Sequence, residues 1–317
     1  MQNTSNLSNY HRLISVAICT HNRAERLQKS LEALKNQSLS QEVFEVLVID
    51  NASTDQTQKI CDQYSQDFIN FHYVYESILG LSKARNTAIK EAKGKYIAYL
   101  DDDAIPCQGW LEAILDSFEN VEPSPIGVGG PIYGIWEIPT LNWVEEYSDI
   151  AAYFTTLNYG SQPCWFPSQR FPYGANMAYQ REALEQVGGF CEQLGRKGQN
   201  LLSQEELLLN LSLEQKGEKF YYNPKASVEH WISKERINLE WLMQRSYWQG
   251  RSEAISEQLL GKSITQQRQE SLGKVVNLRQ LIAQVLPNQK RRIITRARIW
   301  RSWGYFLQVW SSNTSSV

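Results

Sequence analysis

The chain is 317 residues long, 42% hydrophobic and 21% charged, with a formal net charge of −2 at neutral pH. That length holds one large domain or a domain with an extension, and the composition excludes a disordered chain and a general nucleic-acid binder. Five cysteines (Cys19, Cys61, Cys107, Cys164 and Cys191) are odd in number and include no C-x-x-C pair, which reads as reduced thiols rather than a disulfide framework or a zinc site.

In chain order, Leu13-Ile14-Ser15-Val16-Ala17-Ile18 reads as a first strand, broken by Thr20-His21-Asn22-Arg23. Asn22 is placed to cap a helix on which Leu27, Leu31 and Leu34 repeat at helical spacing. Phe44 to Ile49 forms a second strand that runs into Asp50. Asn51-Ala52-Ser53-Thr54-Asp55 is turn chemistry, and Thr54 or Asp55 caps the helix through Ile60 and Tyr64. Phe71 to Tyr75 is a third strand; Leu81, Ala84, Ala88 and Ala92 mark a helix closed by Gly94. Lys95 to Leu100 is then a buried strand that ends in Asp101-Asp102-Asp103. Strand and helix alternate at the length of βαβ units, which predicts an α/β fold with a mostly parallel sheet.

Three adjacent carboxylates repel one another, and burying them unpaired is costly. At the carboxyl end of a strand in an open α/β sheet, a hard divalent cation such as Mn²⁺ or Mg²⁺ resolves that conflict. In an extended strand Asp101 and Asp103 point one way and Asp102 the other. Thr20 to Arg23 and Asp50 to Asp55 end their strands at the same edge, a pocket suited to a nucleotide diphosphate and its metal. No GxxxxGK[ST] or GxGxxG occurs, so neither a P-loop nor the usual dinucleotide site is present.

Val16 to Arg23, Val48 to Asp55, and Gly80 to Asn86 through Leu100 to Asp103 together resemble the family 2 glycosyltransferases of the GT-A fold, a likeness that runs from about Ile14 to His230. The resemblance implies that Thr20, Asn22 and Arg23 lie against the donor nucleotide, that Asp50 bonds its base, and that Ser53 and Asp55 flank it. It also implies that Arg85 stands near the ribose or pyrophosphate, that Asp101 and Asp102 face the nucleoside, and that Asp103 ligates the metal. An ordinary ion pair is the competing reading of Arg85, and helix capping that of Asp50 and Asp55.

Farther on, Gly109 to Leu115 starts a helix and Gly127 to Ile132 a strand and turn. The aromatic stretch with Trp143, Tyr147, Tyr153, Phe154 and Tyr159 either fills a core or offers sugar-binding faces. Gly174 and Asn176 match the family's acceptor-side segment. Leu202-Ser203-Gln204-Glu205-Glu206-Leu207 stands where the family has G-E-D, which puts Glu206 in the place of the catalytic base and Glu205 beside the acceptor, with the two roles open by one position. Gln204 departs from the family's glycine and Glu206 from its aspartate. His230 closes the likeness as a further metal ligand.

From Arg236 the pattern is helical. Pro287 precedes a basic segment from Lys290 to Arg301, with Trp300, Trp303, Tyr305, Phe306 and Trp310 as aromatics suited to an interface. An anionic membrane, the catalytic domain and a second subunit are its candidate partners. Residues Met1 to Asn6 lack a signal-peptide core, and no uninterrupted apolar run is long enough to span a bilayer.

The expected organisation is a polar tail over 1–12, a GT-A catalytic domain over 13–235 and a helical extension over 236–317. The expected protein is a cytoplasmic enzyme, peripheral on the inner membrane face or free of it, and not a nucleic-acid binder. It moves a sugar, with inversion and a divalent metal, from a nucleotide sugar (a UDP-sugar by preference) to a glycan or lipid-linked glycan in surface polysaccharide synthesis. A sugar-nucleotide nucleotidyltransferase and a non-catalytic glycan-binding relative are the rival readings.

Overall fold

A computed structural model describes residues 13–139, 152–275 and 289–311. The N-terminal tail, Trp143, Tyr147 and Pro287 lie outside the described residues. The chain divides into two compact units, one of residues 1–135, 155–190 and 209–231, the other of 136–154, 191–208 and 232–317.

The first unit is built on strands β1 (Ile14–Thr20), β2 (Phe44–Asp50), β3 (Phe71–Tyr75) and β4 (Tyr96–Leu100), joined by helices α1 (Ala24–Lys35), α2 (Thr57–Tyr64) and α3 (Leu81–Glu91). β1 pairs in parallel with both β2 and β4, and β2 with β3. β5 (Ala104–Pro106), α4 (Trp110–Asn120), β6 (Gly127–Gly129), β7 (Ile132–Trp136), β8 (Cys164–Trp165), β9 (Asn176–Gln180) and α5 (Arg181–Gln186) follow. Helix α6 (Glu205–Gln215) and strands β10 (Phe220–Tyr222) and β11 (Val228–Ile232) come next. The large sheet has the order β3-β2-β1-β4-β9-β6-β10-β8, in which β9 runs antiparallel between β4 and β6. β5, β11 and β7 form a second, small sheet.

Strand alternation explains the layers. Ile14, Val16 and Ile18 with Tyr96, Ala98 and Leu100 share one buried cluster with Leu27, Leu31 and Leu34 of α1 and Trp110, Ile114 and Phe118 of α4. Tyr99 points the other way, where its hydroxyl donates to the Arg85 carbonyl and its ring meets Phe190 edge-on at 5.5 Å.

Two local expectations need correction. Asn22 does not cap α1: its own φ is +53°, and Asp55 accepts the Ala24 N–H at 3.0 Å instead. Gly94 does not close α3, which ends at Ala92 in extended conformation. Gly94 is required by proximity, because a Cβ there would lie 2.6 Å from the Ser15 backbone nitrogen.

The second unit packs Phe154, Ile232, Ile237, Leu242 and Ile293 into its own core, with Trp136, Tyr153 and Trp241 against it. Phe154 is buried and stacks on Trp241, so this ring fills a core; Tyr159, in the first unit, packs edge-on against Phe166 and Tyr222 but stays exposed. Helices α7 (Leu239–Leu259), α8 (Ile264–Val275) and α9 (Gln289–Ser311) complete it. Leu242 shares a core with Ile293, Gly250 meets Arg301, and Ala254 clusters with Tyr305 and Val309, so α7 and α9 run parallel.

Candidate active site

The carboxyl ends of β1, β2 and β3 are stitched together by polar side chains. Asn22 donates its N–H to the Ser53 hydroxyl at 2.9 Å and accepts the Thr54 N–H through Oδ1 at 2.7 Å. Asp50 is buried; one of its oxygens accepts the Ser53 N–H and the other the Tyr73 hydroxyl at 2.7 Å. Asp55 accepts from Ala24 on one oxygen and from the Thr57 N–H and hydroxyl on the other, so one carboxylate caps α1 and α2 together.

Asn51 was missed by the sequence reading. Its amide donates to the Ile78 carbonyl at 2.8 Å and accepts the Gly80 N–H at 2.7 Å, tying the β2 loop to the start of α3. The His21 ring nitrogen Nδ1 meets the Asn51 carbonyl at 2.7 Å. A side chain just past the end of a strand carries no sequence signal for such a role.

β4 ends at Leu100, and Asp101, Asp102 and Asp103 form a turn. The strict alternation expected of an extended strand therefore does not apply to them. Asp102 and Asp103 are both buried and share one cation: Arg23 Nη1 lies 3.0 Å from Asp102 Oδ1 and 2.7 Å from Asp103 Oδ2. The Thr20 hydroxyl donates to Asp102 Oδ2 at 2.8 Å. Burial pushes the Asp102 carboxyl up to about 6 and the neighbouring Asp103 charge adds to this, while Arg23 and the Thr20 hydrogen bond oppose it. Coulombic attraction to Asp102 is in turn the main reason the Arg23 pKa is raised. Asp101 is half-buried, with its carboxylate 3.8 Å from the buried Arg85 guanidinium.

His230 reaches this turn because β11 pairs antiparallel with β5, which sets His230 opposite Ala104. Its Nε2 lies 3.2 Å from Asp103 Oδ1. The Trp231 N–H donates to the Asp103 carbonyl, and the Trp231 ring lies 3.8 Å under the Arg26 guanidinium. Asp101, Asp103 and His230 each present one ligand atom, all within 4.8 Å of one another. The buried His230 Nδ1 has no hydrogen-bond partner among the described residues. Two carboxylates and an imidazole suit Mn²⁺ or a similar divalent ion, so this donor set fits the expected metal.

The acceptor-side reading of Asn176 is corrected. Its amide accepts from Trp110 Nε1 at 2.9 Å and donates to the Ala226 carbonyl at 2.7 Å and to that of Pro131 at 3.3 Å, with no exposed surface. A buried amide with these bonds holds α4 and the β-turns in place and has no means of reaching a sugar. Gly174 sits in the buried turn just before β9.

Thr20, Asn22, Arg23, Asp50, Ser53, Asp55, Arg85, Asp101, Asp102, Asp103 and His230 are thus gathered in the first unit, whereas Glu205 and Glu206 belong to the second, at the first turn of α6. Gln204 just before them has φ +76°, the left-handed region that favours glycine, which accounts for the glycine expected there. Both glutamates act electrostatically on Arg245, a half-buried residue of α7 that sequence reasoning also missed. Burial, followed by repulsion from Arg196, pulls the Arg245 pKa down to about 10, against the pull of Tyr153, Glu205 and Glu206.

A family profile described as "Glycosyl transferase family 2" matches residues 15–188, across every element from β1 to α5. The chain belongs to glycosyl transferase family 2. Among curated relatives of this glycosyltransferase is the glucosyl-dolichyl phosphate glucuronosyltransferase of Haloferax volcanii, 27% identical over 250 residues that make up 78% of each chain. The pre-mycofactocin glycosyltransferase of Mycobacterium tuberculosis is 26% identical over 252 residues, 76% of this chain and 47% of the relative. Among solved structures, the mannosyltransferase PcManGT of Pyrobaculum calidifontis, in complex with GDP-Man and Mn²⁺, superposes with a TM-score of 0.63 at 17% identity, covering 96% of this chain and 89% of that one. S. aureus TarS 1-349 superposes with a TM-score of 0.52 at 16% identity, covering 92% and 89%. The expected GT-A fold is therefore the fold of this transferase.

Proposed function

We propose that the transferase moves a sugar from a nucleotide-sugar donor to a hydroxyl of a glycan or lipid-linked glycan, with inversion at the anomeric carbon and a divalent metal. The observation that carries this reading is the Asp101–Asp103–His230 cluster, built into the same strand ends as the stitched Thr20–Arg23 and Asp50–Asp55 loops. In this reading Asp101, Asp103 and His230 hold the metal, which supplies positive charge against the departing nucleotide diphosphate. Arg23 and Arg85 add fixed positive charge at the same edge, and Asp50, Ser53 and Asp55 shape the wall for the nucleoside. The PcManGT complex with GDP-Man and Mn²⁺ supports the donor class and the metal.

The proton goes to a carboxylate. As the acceptor hydroxyl oxygen forms its bond to the anomeric carbon, the bond from that carbon to the diphosphate oxygen breaks, and Glu206 takes the hydroxyl proton. Glu205 neighbours the acceptor, and Arg245 holds charge beside both. The glucosyl-dolichyl phosphate named in the Haloferax relative supports a lipid-linked acceptor, and peripheral contact with a membrane goes with that class.

Release of nucleotide from a panel of UDP-, GDP- and dTDP-sugars, with Mn²⁺ and no acceptor, tests the reading without knowledge of the acceptor. Release from one donor that Asp103→Ala abolishes is the expected result. Absence of both nucleotide binding and release across the panel would sink it. With an acceptor in hand, Glu206→Gln keeps donor affinity and loses transfer; full transfer moves the base to Glu205.

A further inference from the structure

The outward face of α9 is a single stripe. At about 100° per residue, Arg292, Arg296, Trp300, Trp303, Leu307 and Trp310 fall within an arc of about 80°. Every one of them is exposed. Trp300 is 48% exposed, Trp303 44%, Leu307 44% and Trp310 46%, unusual values for side chains of this size and spacing. Trp310 is also tied to α8, where Ser271 accepts a hydrogen bond from its Nε1.

The opposite face of α9 is already occupied. Ile293, Ala297, Tyr305 and Val309 are buried, and α7 approaches so closely that a Cβ on Gly304 would lie 1.9 Å from the Tyr247 carbonyl oxygen. Tyr305, expected at an interface, is buried there and bonded to Glu257. The Trp stripe is thus what α9 presents once its packing is complete.

We propose that this stripe is a membrane-docking face that lays α9 on an anionic lipid surface, with Trp300, Trp303 and Leu307 entering the interfacial layer and Arg292 and Arg296 meeting lipid headgroups. It gives a surface to the peripheral-membrane part of the reading above and rests on that part alone. Arg292 and Arg296 are the cations on the stripe itself, and the sequence from Gln289 to Ser311 adds Lys290, Arg291, Arg298 and Arg301, the last of them paired with Glu253, and no acidic residue. An anionic bilayer complements such a helix, whereas a second copy sets one basic face against another. No described helix is long and apolar enough to cross a membrane, so α9 lies on the surface.

Co-sedimentation of the full chain with phosphatidylcholine vesicles, with and without phosphatidylglycerol, tests this. Binding is expected on the anionic vesicles and weakens with salt. W303S/L307S, at exposed positions where folding is not at stake, loses affinity roughly tenfold or more. R292Q/R296Q loses roughly tenfold, on anionic vesicles alone. Donor hydrolysis in solution stays unchanged in all variants, which separates this face from the catalytic reading. Failure of the wild-type chain to bind either vesicle, or equal binding by the variants, overturns the proposal. A dimer in light scattering that W303S/L307S dissociates, without vesicle binding, assigns the face to a second copy instead.

Discussion

Arg23 Nη1 stands 2.7 Å from Asp103 Oδ2, a cation held against a carboxylate of the candidate metal cluster. The same nitrogen also reaches Asp102, so the guanidinium balances charge that would otherwise be buried unpaired. A metal ion at Asp103 competes with that contact. Arg23→Gln is therefore expected to tighten Mn²⁺ binding to the free enzyme by about tenfold at pH 8 and to weaken nucleotide binding. Titration calorimetry with Mn²⁺ alone, then with UDP or GDP, reads the two effects separately. Equal Mn²⁺ affinity in wild type and variant removes Arg23 from the site.

Asp55 predicts an acid-dependent stability. Burial alone would raise its pKa, but hydrogen bonds from the Thr57 hydroxyl, Ala24 N–H and Thr57 N–H outweigh it and hold the group below its ordinary 3.8. A carboxyl depressed in the folded state stabilises fully above its unfolded pKa, and that contribution is lost as pH falls through the folded value. Asp55→Ala uncaps two helices at once and is expected to cost about 1–2 kcal/mol at pH 7. Urea unfolding of both proteins from pH 7 down to pH 3 should show the gap constant at first and closing below about pH 4. A gap that widens with acid contradicts this role.

Gln204 carries left-handed backbone just before the Glu205–Glu206 pair. Gln204→Gly removes the Cβ conflict, and the gain is partly offset by glycine's freedom in the unfolded chain. The net expectation is about 0.5–1 kcal/mol of added stability, visible as a rise of about 1–4 °C in Tm. A fall in Tm would show that the glutamine side chain makes contacts worth more than the strain.

Gly304 and Gly250 let α7 and α9 touch through their backbones, with Cβ positions 1.9 Å from the Tyr247 carbonyl oxygen and 1.8 Å from that of Arg301. Gly304→Ala must push the helices apart and is expected to cost about 2–3 kcal/mol. Hydrogen exchange should show the loss in α7 and α9 and leave β1 to β4 protected. Uniform loss across both units would mean that they unfold as one.

The order of elements from β1 to β4 was readable from the chain, because alternating apolar strands and helical Leu and Ala repeats are local signals, whereas the short β5 was not read. So were the residues of the candidate donor edge: each carboxylate and Arg23 ends a strand or lies in the loop that follows one, and parallel strands put those ends on one side. Caps were less legible. Asp55, not Asn22, serves α1, since the donor and acceptor are 31 residues apart and meet only when β1 and β2 pair.

Sequence by itself determined the family, the fold class and the residue types at the sheet edge, all properties written in local pattern and motif spacing. Tertiary structure alone decided which of those side chains are occupied. It buried Asn176 in a bonded amide network, brought His230 to Asp103 through the β5–β11 pairing, and set Asn51 as the tie between loops. It also decided that α9 turns its tryptophans outward, because close packing at Gly250 and Gly304 takes the other face. Hydrogen-bond partners and exposed faces depend on what packs across hundreds of residues, and a one-dimensional pattern holds no record of that.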